Sequence, residues 1–214
     1  MFKRNVDSIA ARFRKKRFRH FERMLSVLPR PLHVLDIGGT EGYWRTVGFT
    51  DAQGVRVTLL NLRAEPVSLP NFESVVGNAR NLSEFADLSI DVVYSNSVIE
   101  HVGGFEHQRQ MAMEVQRVGK RFYVQTPNRH FPIEPHFLFP FFQFLAPSTQ
   151  VWLVRHFSLG WYSRAPDAQT ARKIIGETRL LTKHELSILF PGAALLEERV
   201  LGVPKSFSVY GGWH

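Results

Sequence analysis

The sequence contains no cysteine among its 214 residues. Disulfide bridges, thiolate metal ligands and a cysteine nucleophile are therefore excluded, and a disulfide-stapled secreted scaffold is not expected. Long apolar runs are missing too. The most hydrophobic stretch, residues 137–147, is interrupted by Pro140 and Gln143 and is too short to span a bilayer. The N-terminus also lacks the apolar core of a secretory signal peptide. We therefore expect a cytoplasmic protein.

Acidic residues are scarce in one segment only. Residues 1–23 carry nine Lys and Arg side chains against two acids, whereas the rest of the chain carries 18 basic and 17 acidic residues and is nearly neutral. The net charge of +8 therefore belongs to this segment. Nucleic-acid binding would have to depend mainly on it.

Apolar residues recur at mostly helical spacing through this basic segment, which predicts one or two amphipathic helices that end before Pro29. They are Phe2, Val6, Ile9, Phe13, Phe18, Phe21, Leu25 and Leu28. One interpretation is a helix that packs on the domain and leaves a solvated basic face. The other is attachment to an anionic membrane surface, here the inner face of the membrane, or to an acidic partner. We assign residues 1–30 to this N-terminal helical segment.

From residue 32 onward, short apolar strands alternate with helical stretches, which predicts an α/β fold with a doubly wound, seven-stranded, mostly parallel sheet. The predicted strands are 33–36, 55–61, 74–79, 90–97, 120–126, 194–200 and 206–210, and the predicted helices are 42–49, 81–86, 105–118 and 186–190. Thr182 and Glu185 have the spacing of a capping box before the last helix. We expect one domain over residues 31–214, with an aromatic-rich insertion at about 131–165 after the fifth strand.

The most informative stretch is residues 33–42, a buried strand that ends in Asp36 and runs into the turn Gly38-Gly39-Thr40-Glu41-Gly42. Glycines let a backbone approach a ligand closely, and α/β proteins bind cofactors at the ends of parallel strands. With the strand ends that follow, this stretch resembles the class I S-adenosylmethionine (SAM) dependent methyltransferases, in particular the small-molecule, type 11 enzymes. The resemblance implies a Rossmann-like methyltransferase fold and SAM as the cofactor.

The resemblance also implies the cofactor-binding residues. The turn would hold the methionine part of SAM through Asp36, Gly38, Gly39 and Gly42, and the end of the fourth strand would add Ser95 and Asn96. Where the family has acids for the ribose and the adenine, this chain has Asn61 and, beside Ala79, Asn78. Thr40 replaces the middle glycine of the family pattern. The alternative for either asparagine is a turn or capping residue.

Candidates for acceptor chemistry follow the fourth and fifth strands. Glu100 and His101 come one turn after Asn96, and His has a suitable pKa for taking a proton from a hydroxyl acceptor. The alternative is that this histidine only packs beneath the cofactor. The loop after the fifth strand adds His130 and His136 on either side of Glu134. We expect these residues to shape the acceptor pocket and predict no metal, because the carboxylate-rich set of metal-dependent catechol-type enzymes is missing.

The chain lacks the Asn-Pro-Pro-aromatic and Asp-Pro-Pro-aromatic motifs of exocyclic-amine methyltransferases. We therefore predict methyl transfer to a small-molecule hydroxyl, on a glycan, lipid-linked or other hydrophobic metabolite. One alternative is a nucleic-acid methyltransferase that uses the basic residues 1–23. Another is a non-catalytic SAM-binding protein, which the departures at Thr40, Asn61 and Asn78 leave open. A dinucleotide oxidoreductase is the weakest alternative, because the turn fails Gly-x-Gly-x-x-Gly.

Overall fold

The computed structural model describes residues 2–50 and 54–213, and only the backbone for residues 2–10. The helices are α1 (Phe2–Ser26), α2 (Glu41–Val47), α3 (Phe105–Val118), α4 (Pro147–His156), α5 (Ala168–Gly176) and α6 (Lys183–Leu189). The strands are β1 (Leu32–Ile37), β2 (Val55–Asn61), β3 (Phe72–Val76), β4 (Val92–Asn96), β5 (Phe122–Pro127), β6 (Ile133–Glu134), β7 (Phe139–Pro140), β8 (Ala194–Val200) and β9 (Val203–Gly211). Short 3-10 helices occupy Ile99–His101 and Phe142–Phe144.

Seven strands form one sheet in the order β3-β2-β1-β4-β5-β9-β8. Strands β1 to β5 pair in parallel, whereas β9 is antiparallel to both β5 and β8. The prediction of a doubly wound, seven-stranded, mostly parallel sheet is therefore confirmed. The chain order reverses between β1 and β4, and ligands of open α/β sheets bind at such a reversal.

Helices cover both faces of the sheet, so its central strands are buried on both sides. Along β1, Val34 packs on the face covered by α1 and α2, whereas Leu35 and Ile37 pack on the face covered by α3 and α6. This alternation follows from the two-residue period of a strand. It also directs Asp36 to the same face as Val34.

The basic N-terminal segment forms one long helix, α1, that packs on the sheet. Phe18, Phe21 and Leu25 are almost fully buried among the aromatic side chains of α2, β4 and β5. Arg17 adds an ion pair of 3.6 Å with Glu198 of β8. The opposite face exposes Arg12, Lys15, Lys16, Arg19 and Arg23. The interpretation as a packed helix with a solvated basic face is therefore confirmed.

The predicted helix over 81–86 is wrong, because these residues form hydrogen-bonded turns. Side chains of α3 form hydrogen bonds with the backbone of these residues. Glu114 accepts from the Leu82 amide, and Arg117 donates to the carbonyls of Leu82 and Phe85. The third strand also begins and ends earlier than predicted, at Phe72 and Val76 instead of 74 and 79. The capping box at Thr182 and Glu185 is present.

The aromatic-rich insertion after β5 has a small core of its own. Phe137 and Phe142 stack with their ring centroids 4.0 Å apart, and they pack with Leu153 of α4 and Ala171 of α5. Structured residues of the insertion thus extend past the predicted end near 165. None of the helices in the described part of the chain has the length and apolar character that a membrane span requires.

Candidate active site

A cavity of about 90 Å³ lies where the sheet order reverses. It opens between the carboxyl ends of β1 and β4, and the strand register pairs Asp36 with Tyr94. The residues that line it are Asp36, Gly38, Gly39, Thr40, Tyr43, Tyr94 and Asn96. Five of the seven belong to the turn that begins at Asp36 and runs into α2.

The two adjacent glycines of the turn are required by close packing. A Cβ at Gly39 would lie 1.6 Å from Oδ2 of Asp36, and a Cβ at Gly38 would lie 2.4 Å from Cγ2 of Val98. Gly38 also has a φ of +75°, which favours glycine. The backbone therefore passes directly over Asp36 and leaves the cavity free of side-chain atoms at these two positions.

Thr40 and Gly42 differ from this pair. Thr40 is the N-cap of α2, with an ordinary φ of −132°, and its hydroxyl oxygen accepts a hydrogen bond from the amide of Tyr43. This explains why a threonine fits where the family has a glycine. A Cβ at Gly42 would contact only Oγ1 of Thr40, at 3.8 Å, so the protein itself does not require glycine there.

Asp36 is a buried acid with one hydrogen-bond donor beside it. Its side chain is 1% exposed, and Trp44 Nε1 donates to its Oδ2 at 2.7 Å. Burial raises the pKa of Asp36 to about 8, because the single hydrogen bond from Trp44 offsets little of the lost solvation. The cavity thus holds a carboxyl group that a bound cation would stabilise in its charged form.

Two tyrosines and an amide complete the cavity. Tyr43 and Tyr94 stack with ring centroids 6.2 Å apart, and their hydroxyl groups are hydrogen-bonded to each other. Burial raises the pKa of Tyr43 to about 12, so both hydroxyls stay neutral. Oδ1 of Asn96 is buried and has no hydrogen-bond partner among the described residues. Sequence reasoning missed both tyrosines, although the alternation along β4 directs Tyr94 to the face of Asp36.

Asn61 lies at the end of β2, next to the glycine turn. Its side-chain amide donates to the carbonyl of Gly39 at 2.8 Å. A carboxylate has no proton to donate, so it could not make this bond. The asparagine thus holds the turn, and its side-chain oxygen remains an acceptor for a ligand.

The other predicted cofactor residues lie outside the lining of the cavity. Oδ1 of Asn78 accepts from the backbone amide and from Nε of Arg80, which makes Asn78 a turn residue. Ala79 is buried in the core on the α3 side of the sheet. Ser95 is fully buried and donates to the carbonyl of Ile37 at 3.3 Å. Their roles toward a cofactor stay predictions.

A second group of polar side chains gathers beyond β4 and β5. Ligand atoms of Glu100, His101 and His136 all lie within 4.8 Å of one another, and the two histidine Nε2 atoms are 3.1 Å apart. Glu134 accepts a hydrogen bond from Nδ1 of His136 at 2.7 Å and also from the amides of His136 and Phe137. We call Glu100, His101 and His136 the His–Glu cluster.

The His–Glu cluster combines buried and open positions. Glu100 is fully buried; Thr126 of β5 donates to its Oε2 at 2.9 Å, and Oε1 has no partner among the described residues. Burial raises the pKa of Glu100 to about 7. Burial lowers the pKa of His136, but the hydrogen bond to Glu134 more than offsets this and leaves that pKa raised. His101 is exposed, so a ligand can reach the cluster from solvent.

The structure brings three of the four predicted catalytic residues together and leaves one apart. His130 is exposed, and its ring stacks 6.3 Å from that of Phe144. Sequence reasoning placed Glu134 among the residues that shape the acceptor pocket without naming it as catalytic, and it assigned no role to Thr126. The signal for Glu134 was its spacing of two residues from His136.

Together the doubly wound sheet, the glycine turn at its reversal and the buried acid beneath that turn define the class of nucleoside-cofactor α/β enzymes. Residues 35–121 match a family model described as a methyltransferase domain. This match and the fold agree with the resemblance of the sequence to the class I, SAM-dependent methyltransferases, and they support SAM as the cofactor. The backbone of Gly38 and Gly39, which lines the cavity, and the unpartnered Oδ1 of Asn96 fit such a cofactor.

Solved structures of similar fold agree. The N-terminal domain of EvdMO1, determined in the presence of SAH and D-fucose, is 16% identical, with 92% of this chain and 82% of that chain covered and a TM-score of 0.55. A SAM-dependent methyltransferase from Methanosarcina mazei is 18% identical, with 87% and 94% covered and a TM-score of 0.53. A chain from the complex between the Haloferax volcanii Trm112 methyltransferase activator and the putative methyltransferase is 15% identical, with 89% and 87% covered and a TM-score of 0.51. No curated protein matches the sequence.

Proposed function

We propose that the protein transfers a methyl group from SAM to a hydroxyl group of a small, hydrophobic acceptor. The observation that carries the proposal is the succession of the cavity and the His–Glu cluster along one edge of the sheet. Asn96 ends β4 in the cavity, and Glu100 and His101 follow on the 3-10 helix. Bound SAM supplies an electrophilic methyl group. The chain must therefore hold the cofactor, orient the acceptor and take up the acceptor's proton.

The cofactor would be held by the glycine turn and its neighbours. Asp36 would face the cationic part of the methionine moiety, and the backbone of Gly38 and Gly39 would lie against it. Oδ1 of Asn96 would accept one of the donors of the ligand, and the free oxygen of Asn61 would accept from the ribose. An uncharged Asn61 gives a weaker bond than the family's acid would, because charge-assisted hydrogen bonds are roughly twice as strong.

Asn78 and Ala79 would contact the adenine. In the structure, Oδ1 of Asn78 accepts two hydrogen bonds from Arg80. Contact with the adenine amino group would require the Arg80 side chain to move away. Ser95 would support the cofactor site indirectly, because its hydrogen bond to the Ile37 carbonyl holds the end of β1.

The His–Glu cluster would activate the acceptor. A hydroxyl has to lose its proton as its oxygen takes up a methyl group, and imidazole is the usual base near neutral pH. The carboxylate of Glu134 fixes the His136 ring through Nδ1, so that Nε2 faces His101. A hydroxyl that enters from the open side of His101 would reach Nε2 by taking the place of the contact between the two rings.

Exposed aromatic side chains support a hydrophobic or lipid-linked acceptor. Five of them on the insertion are between 49% and 60% exposed, namely Phe141, Phe144, Trp152, Phe157 and Trp161. Tryptophan and phenylalanine insert into membrane interfaces, and lysine and arginine bind anionic lipid headgroups. We therefore propose peripheral contact of the aromatic side chains and of the basic face of α1 with the inner face of the membrane. Co-sedimentation with phosphatidylglycerol vesicles, but not with phosphatidylcholine vesicles, would support this contact.

Calorimetry followed by a transfer assay tests the function. We expect SAM and its demethylated product to bind with one site per chain, and methyl-tritiated SAM to label a small-molecule or lipid fraction. Gly39→Ala should abolish binding, because its Cβ would collide with Asp36. The matched control is Gly176→Ala, where a Cβ meets nothing within 4 Å.

Three outcomes would contradict the proposal. If the wild-type chain binds neither SAM nor its demethylated product, the proposed cofactor site is wrong. Binding without label in any fraction would indicate a non-catalytic binding protein. Labelling of RNA or DNA, with an affinity that falls steeply with salt, would favour the nucleic-acid alternative.

A further inference from the structure

The partners of the two Nδ1 atoms fix the ring orientation of both histidines in the His–Glu cluster. Nδ1 of His136 faces the carboxylate of Glu134 at 2.7 Å, and Nδ1 of His101 lies 3.3 Å from the carbonyl of Glu177. Both partners accept hydrogen bonds, so both Nδ1 atoms carry the proton in the neutral rings. Both Nε2 atoms then present lone pairs to each other across 3.1 Å. Two such lone pairs repel unless a proton or a metal ion lies between them.

A buried carboxylate lies near the two histidine rings. Glu100 contributes a carboxylate oxygen within 4.8 Å of the histidine nitrogens, and its Oε1 is buried without a hydrogen-bond partner among the described residues. Leaving such an atom unpaired is costly in a protein interior. A cation at the meeting point would satisfy it together with both imidazole lone pairs.

We infer that Glu100, His101 and His136 bind one divalent first-row transition-metal ion, such as Zn²⁺. Two imidazoles and one carboxylate form the ligand set of open catalytic zinc sites and of non-haem iron sites. Glu134 would be the supporting carboxylate behind a metal-bound histidine, an arrangement that fixes ring orientation and raises ligand basicity. The exposure of His101 leaves open coordination positions toward solvent.

The distances fit after a small adjustment. A tetrahedral ion with metal–ligand bonds of about 2.1 Å holds its ligand atoms about 3.4 Å apart. The two Nε2 atoms are already close to this spacing, and the widest separation in the His–Glu cluster, 4.8 Å, would have to close by about 1.4 Å. The sequence analysis predicted no metal because the chain lacks a carboxylate-rich ligand set, and it did not combine Glu100 and His101 with His136.

The metal site would deepen the proposed function, and its role in methyl transfer rests on that function. A coordinated acceptor hydroxyl loses its proton more readily, because the cation stabilises the alkoxide. In that case the His–Glu cluster acts through the metal instead of as a base, and the hydroxyl proton passes to solvent. The binding of the ion itself does not depend on the proposed function.

Titration of the full chain, purified without a polyhistidine tag and stripped of metal, tests the site. We expect Co²⁺ to produce visible absorption bands that saturate at one ion per chain, and Zn²⁺ to displace it. His136→Ala and His101→Ala should abolish binding, and Glu134→Gln should weaken it by about 10- to 100-fold. The control is His184→Ala, an exposed histidine on α6 that should leave binding unchanged.

Circular dichroism melting curves of each variant separate loss of the site from loss of the fold. Should His136→Ala fail to fold, Glu134→Gln and His101→Ala carry the test. Absence of a one-to-one complex, or binding that survives in both His101→Ala and His136→Ala, would overturn the inference. Calorimetry with SAM on the stripped protein keeps the two ideas apart, because metal binding without SAM binding contradicts only the proposed function, and the reverse contradicts only the metal site.

Discussion

Replacing Asp36 by asparagine should flatten the dependence of stability on pH. In the native protein the burial of Asp36 raises its pKa to about 8, whereas an aspartate in an unfolded chain has a pKa near 3.9. Between these two values the native state holds a proton that the unfolded state has released. Raising the pH therefore favours unfolding in this window, and this sign is the reverse of that for a salt-bridged aspartate.

The magnitude follows from the number of protons. One extra proton on the native state gives a slope of about 1.4 kcal/mol per pH unit, so the Asp36 contribution falls by about 3 kcal/mol between pH 5 and pH 7. The substituted asparagine would be neutral throughout, and its side-chain oxygen can still accept from Trp44 Nε1. The other titratable groups are the same in both proteins, so their contributions cancel in the difference.

Urea denaturation at pH 5, 6 and 7 measures the effect. The free energy of unfolding of Asp36→Asn, relative to that of the wild type, should rise by about 3 kcal/mol across this range at constant ionic strength. Parallel curves for the two proteins would refute the reasoning, because they would mean that Asp36 is already ionised in the native state. The buried position would then be stabilised by something other than the Trp44 hydrogen bond.

Three further predictions address the cofactor and the N-terminal helix. A cation beside Asp36 lowers the pKa of its carboxyl group, so binding of SAM at pH 7 should release up to about one proton. Calorimetry in buffers of different ionisation enthalpy measures this release. The Asp36→Asn variant should release no proton. Gly42→Ala should change the free energy of unfolding by less than about 0.5 kcal/mol, since its Cβ meets only Thr40, yet weaken SAM binding; unchanged affinity in a titration would mean that no ligand approaches Gly42. Phe21→Ala should cost about 3–5 kcal/mol in urea denaturation because the ring is fully buried. Arg19→Gln on the opposite face should cost less than about 0.5 kcal/mol, and an equal loss in both would contradict the packing of α1.

The fold could be predicted because its central strands carry a strong and local signal. Strands β2 and β8 begin and end where the apolar pattern predicts, and α3 spans the predicted 105–118. In these segments the burial pattern coincides with the chain's own periodicity. The wrong helix over 81–86 shows the limit: Glu114 and Arg117 bind its backbone from another element, and their positions cannot be read from the segment itself.

The cofactor site likewise combines a feature that the sequence predicts with one that it does not. The glycine turn is recognisable because Gly38 and Gly39 are required by local geometry. The role of Asn61 is not recognisable, because its amide donates to the Gly39 carbonyl from a different strand. A residue that departs from a family pattern can thus hold the site together by a bond that the usual residue cannot make.

The His–Glu cluster is assembled from two loops that follow neighbouring parallel strands. Glu100 and His101 come after β4, and His136 comes after β5 and a turn fixed by Glu134. Parallel pairing of β4 with β5 brings both loops to one edge of the sheet, so sequence reasoning could place all of these residues near the acceptor. It could not predict that two imidazole nitrogens face each other at 3.1 Å, because this depends on the carboxylate and the carbonyl that hold the far sides of the rings. Those outer contacts and the unpartnered Oε1 of Glu100 are the observations from which we infer a shared cation.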